Sequence, residues 1–326
     1  MRKIKWGILG TARIATEKVI PAMRKGKYCE IHAIASREDK KAQSVAQKLA
    51  IPRAYGSYQA LLADPEIEAV YNPLPNHLHV PLSVQAIHAG KHVLCEKPIA
   101  VSAAEAQTLN AVAMRHPHLK VMEAFMYRFH PQWQSAKKLV QDGEIGRLRF
   151  IQTLFSYYND DPLNVRNQAD LGGGGLMDIG CYGISLARYL FNDEPLKVSG
   201  SLVMHPQYQT DCFASAWMEF RDGTSAFTVS TLMERYQRVF IFGTLAAVEI
   251  EIPFNAPPDR PTRIFIKKGD AVKELVFDVC DQYTLQGDEF SLAIMNNLPV
   301  PTPLTDAISN MRVIDALRSG QQDLNL

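Results

Sequence analysis

The sequence predicts an α/β fold in two parts: a doubly wound parallel sheet, then an α+β domain built on a large open, mostly antiparallel sheet. Two observations predict it. From residue 4 to about residue 120, apolar strands alternate with helical patterns, which is typical of a parallel sheet covered by helices. After residue 147, β-rich segments follow one another with short turn signals between them, which favours antiparallel hairpins.

The chain of 326 residues is long enough for two domains, which we predict at residues 1–122 and 123–326. The strands predicted in the first domain are Ile4–Leu9, Glu30–Ser36, Ala69–Asn72, His92–Cys95 and Lys120–Glu123. Those predicted in the second are Arg147–Tyr158, Lys197–His205, Cys212–Phe220, Thr224–Thr231, Val239–Phe242, Val248–Ile252, Arg263–Lys268 and Lys273–Asp278. One helix is expected after the run Gly172–Gly175 and another near Ala307–Ser319.

Composition narrows the class of partner. Lys and Arg number 35 and Asp and Glu number 34, so no strong field attracts nucleic acid or an anionic membrane. No segment has the length or apolar character of a signal sequence or membrane span. The five cysteines are odd in number and widely spaced, which predicts reduced thiols and a cytoplasmic protein. A small molecule is the expected partner.

A nucleotide-binding signal follows the first strand, in the segment Gly7–Ala15. Gly10, Ala12 and Ala15 take the three small positions of a dinucleotide fingerprint: a tight turn, a close approach to the diphosphate and a helix-against-strand contact. Thr11, Arg13 and Ile14 complete the turn, whose N–H groups are expected to bind the diphosphate at the start of the helix. Ala12 departs from the usual Gly.

The end of the second strand predicts the choice of cofactor. Proteins that bind NAD usually carry an Asp or Glu there for the ribose hydroxyls, but this sequence has Ser36 and Arg37. Arg37 can pair with a 2′-phosphate, so NADP is favoured and NAD remains possible. Lys40 and Lys41 follow within reach, although they also fit an exposed, charged start of a helix.

Lys97 stands at the expected ligand crevice, where Lys97 and Glu96 are predicted to bind the cofactor. It follows Glu96 directly after the strand His92–Cys95, and open parallel sheets bind ligands at the carboxyl ends of their strands. Pro98 disfavours the helical conformation at Lys97 and allows a cis peptide bond that fixes the direction of the ammonium group. The alternative is an ordinary surface lysine.

Residues after the strand Ala69–Asn72 are expected on the nicotinamide side of the same crevice. These are Pro73, Asn76 and His77. His77 and His79 lie two residues apart with no third metal-binding side chain nearby, so we predict polar cleft or surface residues and no metal site.

Five segments together resemble one family, that of glucose-fructose oxidoreductase and inositol dehydrogenase (Gfo/Idh/MocA). They are Gly7–Ala15, Tyr71–His79, Gly90–Pro98, Glu123–Pro131 and Gly173–Tyr182, and the resemblance covers nearly the whole chain. It implies a Rossmann domain for nucleotide binding, a C-terminal domain for substrate binding and oligomerisation, and hydride transfer on sugar-like substrates. The chain is most similar to the branch of dimeric dihydrodiol dehydrogenases and NADP-dependent aldose dehydrogenases, which carry Tyr where inositol dehydrogenases carry His.

The resemblance also implies roles for three residues. Lys97 matches the active-site lysine of the family, Asp178 its acidic position and Tyr182 its general acid/base position. An ammonium group near a tyrosine stabilises the phenolate and lowers a pKa that is otherwise about 10, so Lys97 and Tyr182 are more plausible together than apart. Asp178 and Tyr182 are spaced to share a helix face, and Asp178 is assigned to substrate hydroxyls. The alternatives are a helix-capping Asp178 and a structural Tyr182.

We therefore predict an NAD(P)-dependent oxidoreductase that acts on a hydroxyl or carbonyl of a monosaccharide or related cyclic polyol. The alternatives are a trans-dihydrodiol dehydrogenase and a dinucleotide-binding regulator without catalysis. Because the second domain has too few helices to cover both faces of its sheet, we also expect a homodimer, or a dimer of dimers, formed through those sheets.

Overall fold

The computed structural model describes residues 2–324 and contains two compact units. The first unit consists of the chain up to Met126 together with Gln282–Ile308. The second consists of Tyr127–Asp281 and the chain from Ser309 onward. The chain thus returns to the first unit near its end, whereas the sequence analysis placed one boundary at residue 122.

The first unit contains a parallel sheet of six strands in the order β3-β2-β1-β4-β5-β6, the arrangement of a Rossmann fold. The prediction of a doubly wound parallel sheet is confirmed. The order of the strands reverses between β1 and β4, and at such a switch point the loops leave a crevice for ligands. The strands are β1 Ile4–Leu9, β2 Cys29–Ala35, β3 Arg53–Tyr55, β4 Ala69–Asn72, β5 His92–Cys95 and β6 Val121–Glu123.

The chain has helices in addition to its two sheets. Two of these helices begin with a π-helical turn. The π turns are Ala15–Val19, directly before α1, and Leu176–Gly180, directly before α7. The helices are α1 Ile20–Lys25, α2 Asp39–Lys48, α3 Tyr58–Leu62, α4 His79–His88, α5 Ala103–Met114, α6 Pro131–Gln141, α7 Cys181–Phe191, α8 Gln282–Met295 and α9 Leu304–Ser319. Extra turns of this kind inside helices are frequent at functional sites.

Helix α8 completes the core of the first unit, although it lies far along the chain. The ring of Phe290 lies 5.6 Å from that of Trp6, and the Trp6 indole donates a hydrogen bond to Ser291 Oγ at 3.3 Å. Trp6 and Phe290 are fully buried. Asp288 accepts hydrogen bonds from the N–H groups of Lys27 and Tyr28, both at 2.9 Å. The sequence analysis did not predict α8, and this packing explains why residues 282–308 belong to the first unit.

The second unit contains a sheet of eight strands in the order β14-β13-β12-β11-β7-β10-β9-β8. All neighbours in it are antiparallel except β7 and β10, which confirms the predicted mostly antiparallel sheet. The strands are β7 Leu148–Tyr158, β8 Lys197–Met204, β9 Asp211–Phe220, β10 Gly223–Ser230, β11 Leu232–Gly243, β12 Ala247–Ile250, β13 Thr262–Lys268 and β14 Ala271–Phe277.

Helix α7 packs closely on one face of this sheet. A Cβ atom placed on Gly183 would lie 2.9 Å from Cβ of Phe227, a fully buried residue of β10. Glycine at this position therefore lets the helix backbone approach the sheet. The close contact fixes α7, and with it the helical turn that carries Asp178, against the central strands.

Several elements differ from the predicted ones. Strand β3 and helices α6 and α8 were not predicted, β11 begins at Leu232 rather than at Val239, and α9 begins at Leu304 rather than near Ala307. Strand β3 has only three residues, all half-buried, and so lacks the apolar run that marks the other strands of its sheet.

Within residues 2–324, no helix is long and apolar enough to cross a membrane. The same residues contain no group of three or more His, Cys, Asp or Glu side chains placed to hold a metal ion.

Candidate active site

The turn after β1 exposes its backbone. Gly10 has φ of +96°, and a Cβ atom there would lie 2.7 Å from Leu74 Cδ2, so the turn requires glycine. Across residues 2–324, no acceptor lies within hydrogen-bond reach of the N–H groups of Thr11 and Ala12. Donors presented in this way at the start of a helix fit the diphosphate of a dinucleotide.

The residues after the turn continue into the helical turn Ala15–Val19. Ala15 is fully buried, as the third small position of the fingerprint requires. Ile14 is half-buried, and Arg13 is exposed with its Nε 3.1 Å from Glu17 Oε1. The small residues therefore face the protein while the charged one lies at the surface.

The end of β2 carries the predicted phosphate-binding residues and one that was missed. Ser36 is buried and accepts a hydrogen bond from the N–H of Glu38, while Arg37 is exposed, as are Lys40 and Lys41. Tyr58, at the start of α3, belongs to the same place: its hydroxyl lies 3.8 Å from the position of a Cβ on Gly10. Burial raises the pKa of Tyr58 and the charge of Arg37 opposes that rise. The position of Tyr58 in the sequence did not indicate that this residue would lie near the cofactor-binding turn.

The loop after β4 is shaped by Asn72, which is fully buried. Its side-chain amide donates to His79 O at 3.1 Å and its Oδ1 accepts from the N–H of Leu74 at 3.3 Å. Pro73 is buried, and Asn76 and His77 are half-buried in the 3₁₀ turn Asn76–Leu78. Of the described atoms, none is a hydrogen-bond partner for His77 Nδ1. This nitrogen is therefore a buried polar atom without a partner among the described residues.

The half-buried Glu96 pairs with the fully buried Tyr71 at the carboxyl ends of neighbouring strands β5 and β4. The Tyr71 hydroxyl donates to Glu96 Oε1 at 2.6 Å. Burial, together with the charge of Glu96, raises the pKa of Tyr71 well above its ordinary value, so this tyrosine is a neutral donor. Glu96 Oε2 accepts from the Lys97 N–H at 3.3 Å. Glu96 thus fixes the backbone from which Lys97 extends.

His79 holds the segment after Lys97. The peptide bond between Lys97 and Pro98 is cis, as the sequence allowed. His79 Nδ1 lies 2.7 Å from Pro98 O, and its Nε2 lies 2.7 Å from Leu74 O. Burial lowers the pKa of His79 to about 4, so the ring is neutral near pH 7 and donates through one nitrogen. The sequence analysis expected a cleft or surface residue here, but His79 is a buried tether.

The second unit carries Asp178 and Tyr182 at the junction of its π turn with α7. The residue that precedes the turn is Gly175, without a side-chain cap, and Asp178 lies inside the turn. Asp211 on β9 instead accepts the N–H of Leu176 at 2.6 Å. The alternative of a helix-capping Asp178 is therefore wrong, because Asp211 provides the cap.

Tyr157 and Arg166 hold the Asp178 carboxylate, and neither residue was identified from the sequence. The Tyr157 hydroxyl on β7 donates to Asp178 Oδ2 at 2.6 Å, and Arg166 Nε lies 2.8 Å from the same oxygen. The charge of Asp178 raises the pKa of Arg166. Burial, with the charge of Asp178, raises the pKa of Tyr157. Arg166 is therefore a cation and Tyr157 a neutral donor at every ordinary pH.

The ring of Tyr182 lies in an aromatic cluster of the second unit. Its centroid is 4.9 Å from Phe254, 5.8 Å from Tyr127 and 5.9 Å from Phe155. The residue is 5% exposed. The packing fixes the direction of the phenol and equally serves the core, so both predicted readings of Tyr182 are compatible with it.

Arg128 and His130, at the start of the second unit, have structural contacts. Arg128 Nη2 donates to Ser185 Oγ at 2.8 Å and to Ser185 O at 3.2 Å. His130 is buried and accepts the N–H of Gln132 at the start of α6, and burial lowers its pKa to about 4. Both residues thus brace the helices of their unit.

Comparison with known proteins identifies the family of the chain. Residues 4–125 match the profile of the oxidoreductase family with an NAD-binding Rossmann fold, and residues 133–249 match that of the GFO/IDH/MocA C-terminal domain. An uncharacterized oxidoreductase of Rhizobium meliloti is 42% identical over 98% of this chain and 97% of its own length. The chain belongs to the Gfo/Idh/MocA oxidoreductase family.

Relatives with stated activities align over nearly the whole chain. The D-xylose 1-dehydrogenase (NADP(+)) 2 of Haloferax volcanii is 37% identical over 96% of this chain and 95% of its own. A 3-ketoreductase from Actinomadura kijaniata, solved with NADP and TDP-benzene, has a TM-score of 0.91 and 28% identity, covering 98% of both chains. The resemblance predicted from sequence motifs is confirmed, and the protein is an oxidoreductase with an NAD(P)-binding domain.

Proposed function

We propose that this protein transfers a hydride between NADP and a hydroxyl or carbonyl group of a monosaccharide or related cyclic polyol. One observation carries the proposal: in a family whose first domain binds NAD, the second unit presents a phenol and a fixed carboxylate four residues apart at the start of α7. A proton donor or acceptor and a hydroxyl-binding anion are the two groups that alcohol oxidation needs from the protein. The NADP-dependent xylose dehydrogenase relative supports the substrate class.

The first unit holds the cofactor in this proposal. The N–H groups of Thr11 and Ala12 bind the diphosphate, and Arg37, with Ser36 and Lys41, binds the 2′-phosphate. The Tyr58 hydroxyl lies beside Gly10 in the same turn region, and Arg37 acts on it through its charge. When bound, the nicotinamide accepts or returns the hydride. Pro73, Asn76 and His77 line its side of the crevice, and Glu96 orients Lys97.

The proton transfer is assigned to Tyr182. Removing a proton from the sugar hydroxyl requires a base, and a tyrosine is a poor one near neutral pH unless a cation favours its phenolate form. Lys97 provides that cation in the proposed mechanism. Asp178 accepts a hydrogen bond from a substrate hydroxyl and thereby orients the sugar for the transfer.

A panel assay tests the proposal. The purified protein is mixed with NADP or NAD and with aldoses, inositols or aromatic trans-dihydrodiols, and nicotinamide absorbance is followed. Turnover of an aldose or inositol with NADP supports the proposal. Turnover restricted to dihydrodiols supports the second enzymatic reading, and tight NADP binding without turnover on any substrate supports a regulator.

We also propose a homodimer formed through the open face of the eight-stranded sheet. The face opposite α7 carries Phe150, whose ring stacks 5.7 Å from Trp217 and 5.9 Å from Phe242. Trp217 is 45% exposed and Phe242 is 40% exposed, and water-exposed aromatic clusters of this kind mark protein interfaces. Sedimentation of the intact protein at micromolar concentration should show a dimer or tetramer, and a stable monomer would contradict the proposal.

We also propose that the protein acts in the cytoplasm. All five cysteines are free thiols, four of them buried and Cys280 half-buried. Disulfides are rare in reducing compartments, which supports the cytoplasm as the place of action. The test is to isolate the protein from its cell under acid quench and to count its free thiols. We expect five.

A further inference from the structure

We propose that Arg166 and Tyr157 are positioning residues that hold the Asp178 carboxylate as a fixed anion for a substrate hydroxyl. This inference deepens the proposed function and rests on it. Its consequence for the reaction is a division of labour: Asp178 only accepts hydrogen bonds, so the proton that moves during turnover belongs to Tyr182.

The geometry comes from three elements of the second unit. Tyr157 is on β7, Arg166 is in the 3₁₀ turn Val165–Asn167, and Asp178 is in the π turn before α7. Both donors reach the same oxygen, at 2.6 Å and 2.8 Å. Two donors on one carboxylate oxygen fix the rotation of the carboxyl group and favour its charged form.

The backbone of Arg166 is itself held in place. Its carbonyl accepts the N–H of Gly174 at 2.8 Å, and its N–H donates to Asn164 Oδ1 at 3.1 Å. A Cβ atom on Gly173 would lie 2.4 Å from the Arg166 carbonyl oxygen, so this approach requires glycine. The glycine run before the helix therefore serves to bring Arg166 to Asp178.

The side chain of Asn167 also holds the 3₁₀ turn Val165–Asn167 in place. Asn167 is buried, and its side-chain amide donates to Asp161 O at 2.9 Å. The Arg166 side chain is nevertheless 42% exposed. Because the turn is held by its backbone and by Asn167, Arg166 can be replaced without disturbing the core.

The charged and titratable groups around the carboxylate include Tyr157, Arg166, Tyr182 and Asp211, the last on β9. Arg166 is the cation among these four. Burial raises the pKa of Asp211, and its carboxylate is occupied by the N–H of Leu176. The charge of Arg166 also acts on Tyr182 within the same unit. Asp211 also feels the positive charge of Arg318, which opposes the rise of its pKa. Removing Arg166 therefore takes a positive charge away from Asp178, whereas Asp211 keeps that of Arg318.

The expected pH effect follows from the mutual nature of the interaction. The attraction that raises the pKa of Arg166 stabilises the Asp178 anion equally. Without Arg166, the carboxyl group binds a proton at a higher pH, and a protonated carboxyl is a weaker acceptor for a substrate hydroxyl. Substrate binding should then be lost sooner as the pH falls.

The test is a direct titration that needs no turnover. Protein labelled with ¹³C at aspartate carboxyl groups is titrated by NMR, and the Asp178 signal is assigned as the one absent from Asp178→Asn. In Arg166→Gln, the Asp178 midpoint should rise by about one pH unit or more, which corresponds to a tenfold change in proton affinity. Tyr157→Phe should raise it by less. Arg149→Gln, which removes an exposed arginine that donates to Asp222 O, should leave it unchanged.

Kinetics provide the second readout. With an active sugar substrate, Arg166→Gln should raise KM far more than it lowers kcat and should move the acid limb of kcat/KM upward, and Arg166→Lys should restore part of both. An Asp178 midpoint that does not move in Arg166→Gln overturns this inference even if the protein is active. Failure of every substrate in the panel, with the midpoint shift present, overturns the proposed function and leaves the positioning intact.

Discussion

The turn after β1 and the run Gly172–Gly175 both lead into a helix that begins with a π-helical turn. In the first, the N–H groups of Thr11 and Ala12 have no acceptor among the described residues. In the second, the N–H groups are taken by the protein: that of Gly174 by Arg166 O, and that of Leu176 by Asp211. Glycine before a helix is thus not by itself a sign of anion binding.

The groups that crowd the glycines explain the difference. A Cβ atom on Gly10 would meet the apolar side chain of Leu74, whereas one on Gly174 would lie 2.2 Å from the carboxylate of Asp211. The first turn is shaped by packing, which leaves its donors for a ligand. The second turn is shaped by hydrogen bonds within the protein. Its N–H donors are therefore already paired, and the side chains of the helix are the groups left to react.

The largest effect is expected at Tyr182, because the second turn leaves the side chains of its helix as the reactive groups. Tyr182→Phe should keep the fold and NADP affinity but lose roughly 10² to 10⁴ in turnover, the usual contribution of general acid/base catalysis. Lys97→Met should also lose turnover and recover some of it at higher pH, because an unassisted phenol ionises later. The measurements are steady-state kinetics and calorimetric titration with NADP.

The double variant is the control. Groups that act as a unit are not additive, so Tyr182→Phe with Lys97→Met should be little worse than the worse single variant. Losses that multiply would show two independent roles. A fully active Tyr182→Phe enzyme would assign the proton to another group.

The next effect is on stability, at the second glycine run. Gly174 has φ of +119°, so Gly174→Ala combines backbone strain with the contact to Asp211 and should lower the free energy of unfolding by about 2 kcal/mol or more. Gly143→Ala is the matched control: its φ is +72° with no atom within 4 Å of the added Cβ. It should lose only about 1 kcal/mol. Equal losses in urea unfolding would show that Asp211 does not shape the turn.

A smaller effect is expected at the cofactor end of the first unit. Arg37→Asp should weaken NADP by about tenfold or more and spare NAD, since a charge-assisted hydrogen bond contributes about 1.5 to 3 kcal/mol. Arg115→Asp makes the same charge change at an exposed helix end and should alter neither affinity. Isothermal titration calorimetry with NADP and with NAD measures both affinities. Tighter binding of NAD than of NADP by the wild-type protein would refute the assignment of Ser36 and Arg37.

The smallest effect concerns the cap on the second helix. Asp211→Ala should cost about 0.5 to 2 kcal/mol of stability, the usual range for a lost N-terminal cap. Asp211→Asn keeps one acceptor oxygen and should lose less. If both variants unfold at the wild-type urea concentration, the N–H of Leu176 finds another partner and the contrast between the two turns weakens.

The sequence predicted those parts of the fold that depend on local patterns. Apolar runs identified β1, β4 and β5, and the position of Lys97 after β5 follows from the rule for open parallel sheets. Helix α8 was missed because polar residues of it are buried, Gln286 and Ser291 among them, so it shows no clear apolar stripe.

The candidate site was predicted less completely, since its contacts join distant parts of the chain. Tyr157 is 21 residues before Asp178 and looks like any strand residue, and Arg166 looks like any loop arginine. Their meeting depends on the path of the backbone between them, including the approach at Gly173. Tyr58 was missed for the same reason. No spacing rule encodes such a path.

The late position of α8 has a consequence for synthesis on the ribosome. Trp6 and its partner Ser291 are 285 residues apart, so the apolar surface around Trp6 stays uncovered until nearly the whole chain has been made. At about 5 to 20 residues per second, that delay is roughly 15 to 60 s. During this time the nascent N-terminal strands expose a hydrophobic face, the condition under which a folding chain is prone to aggregate.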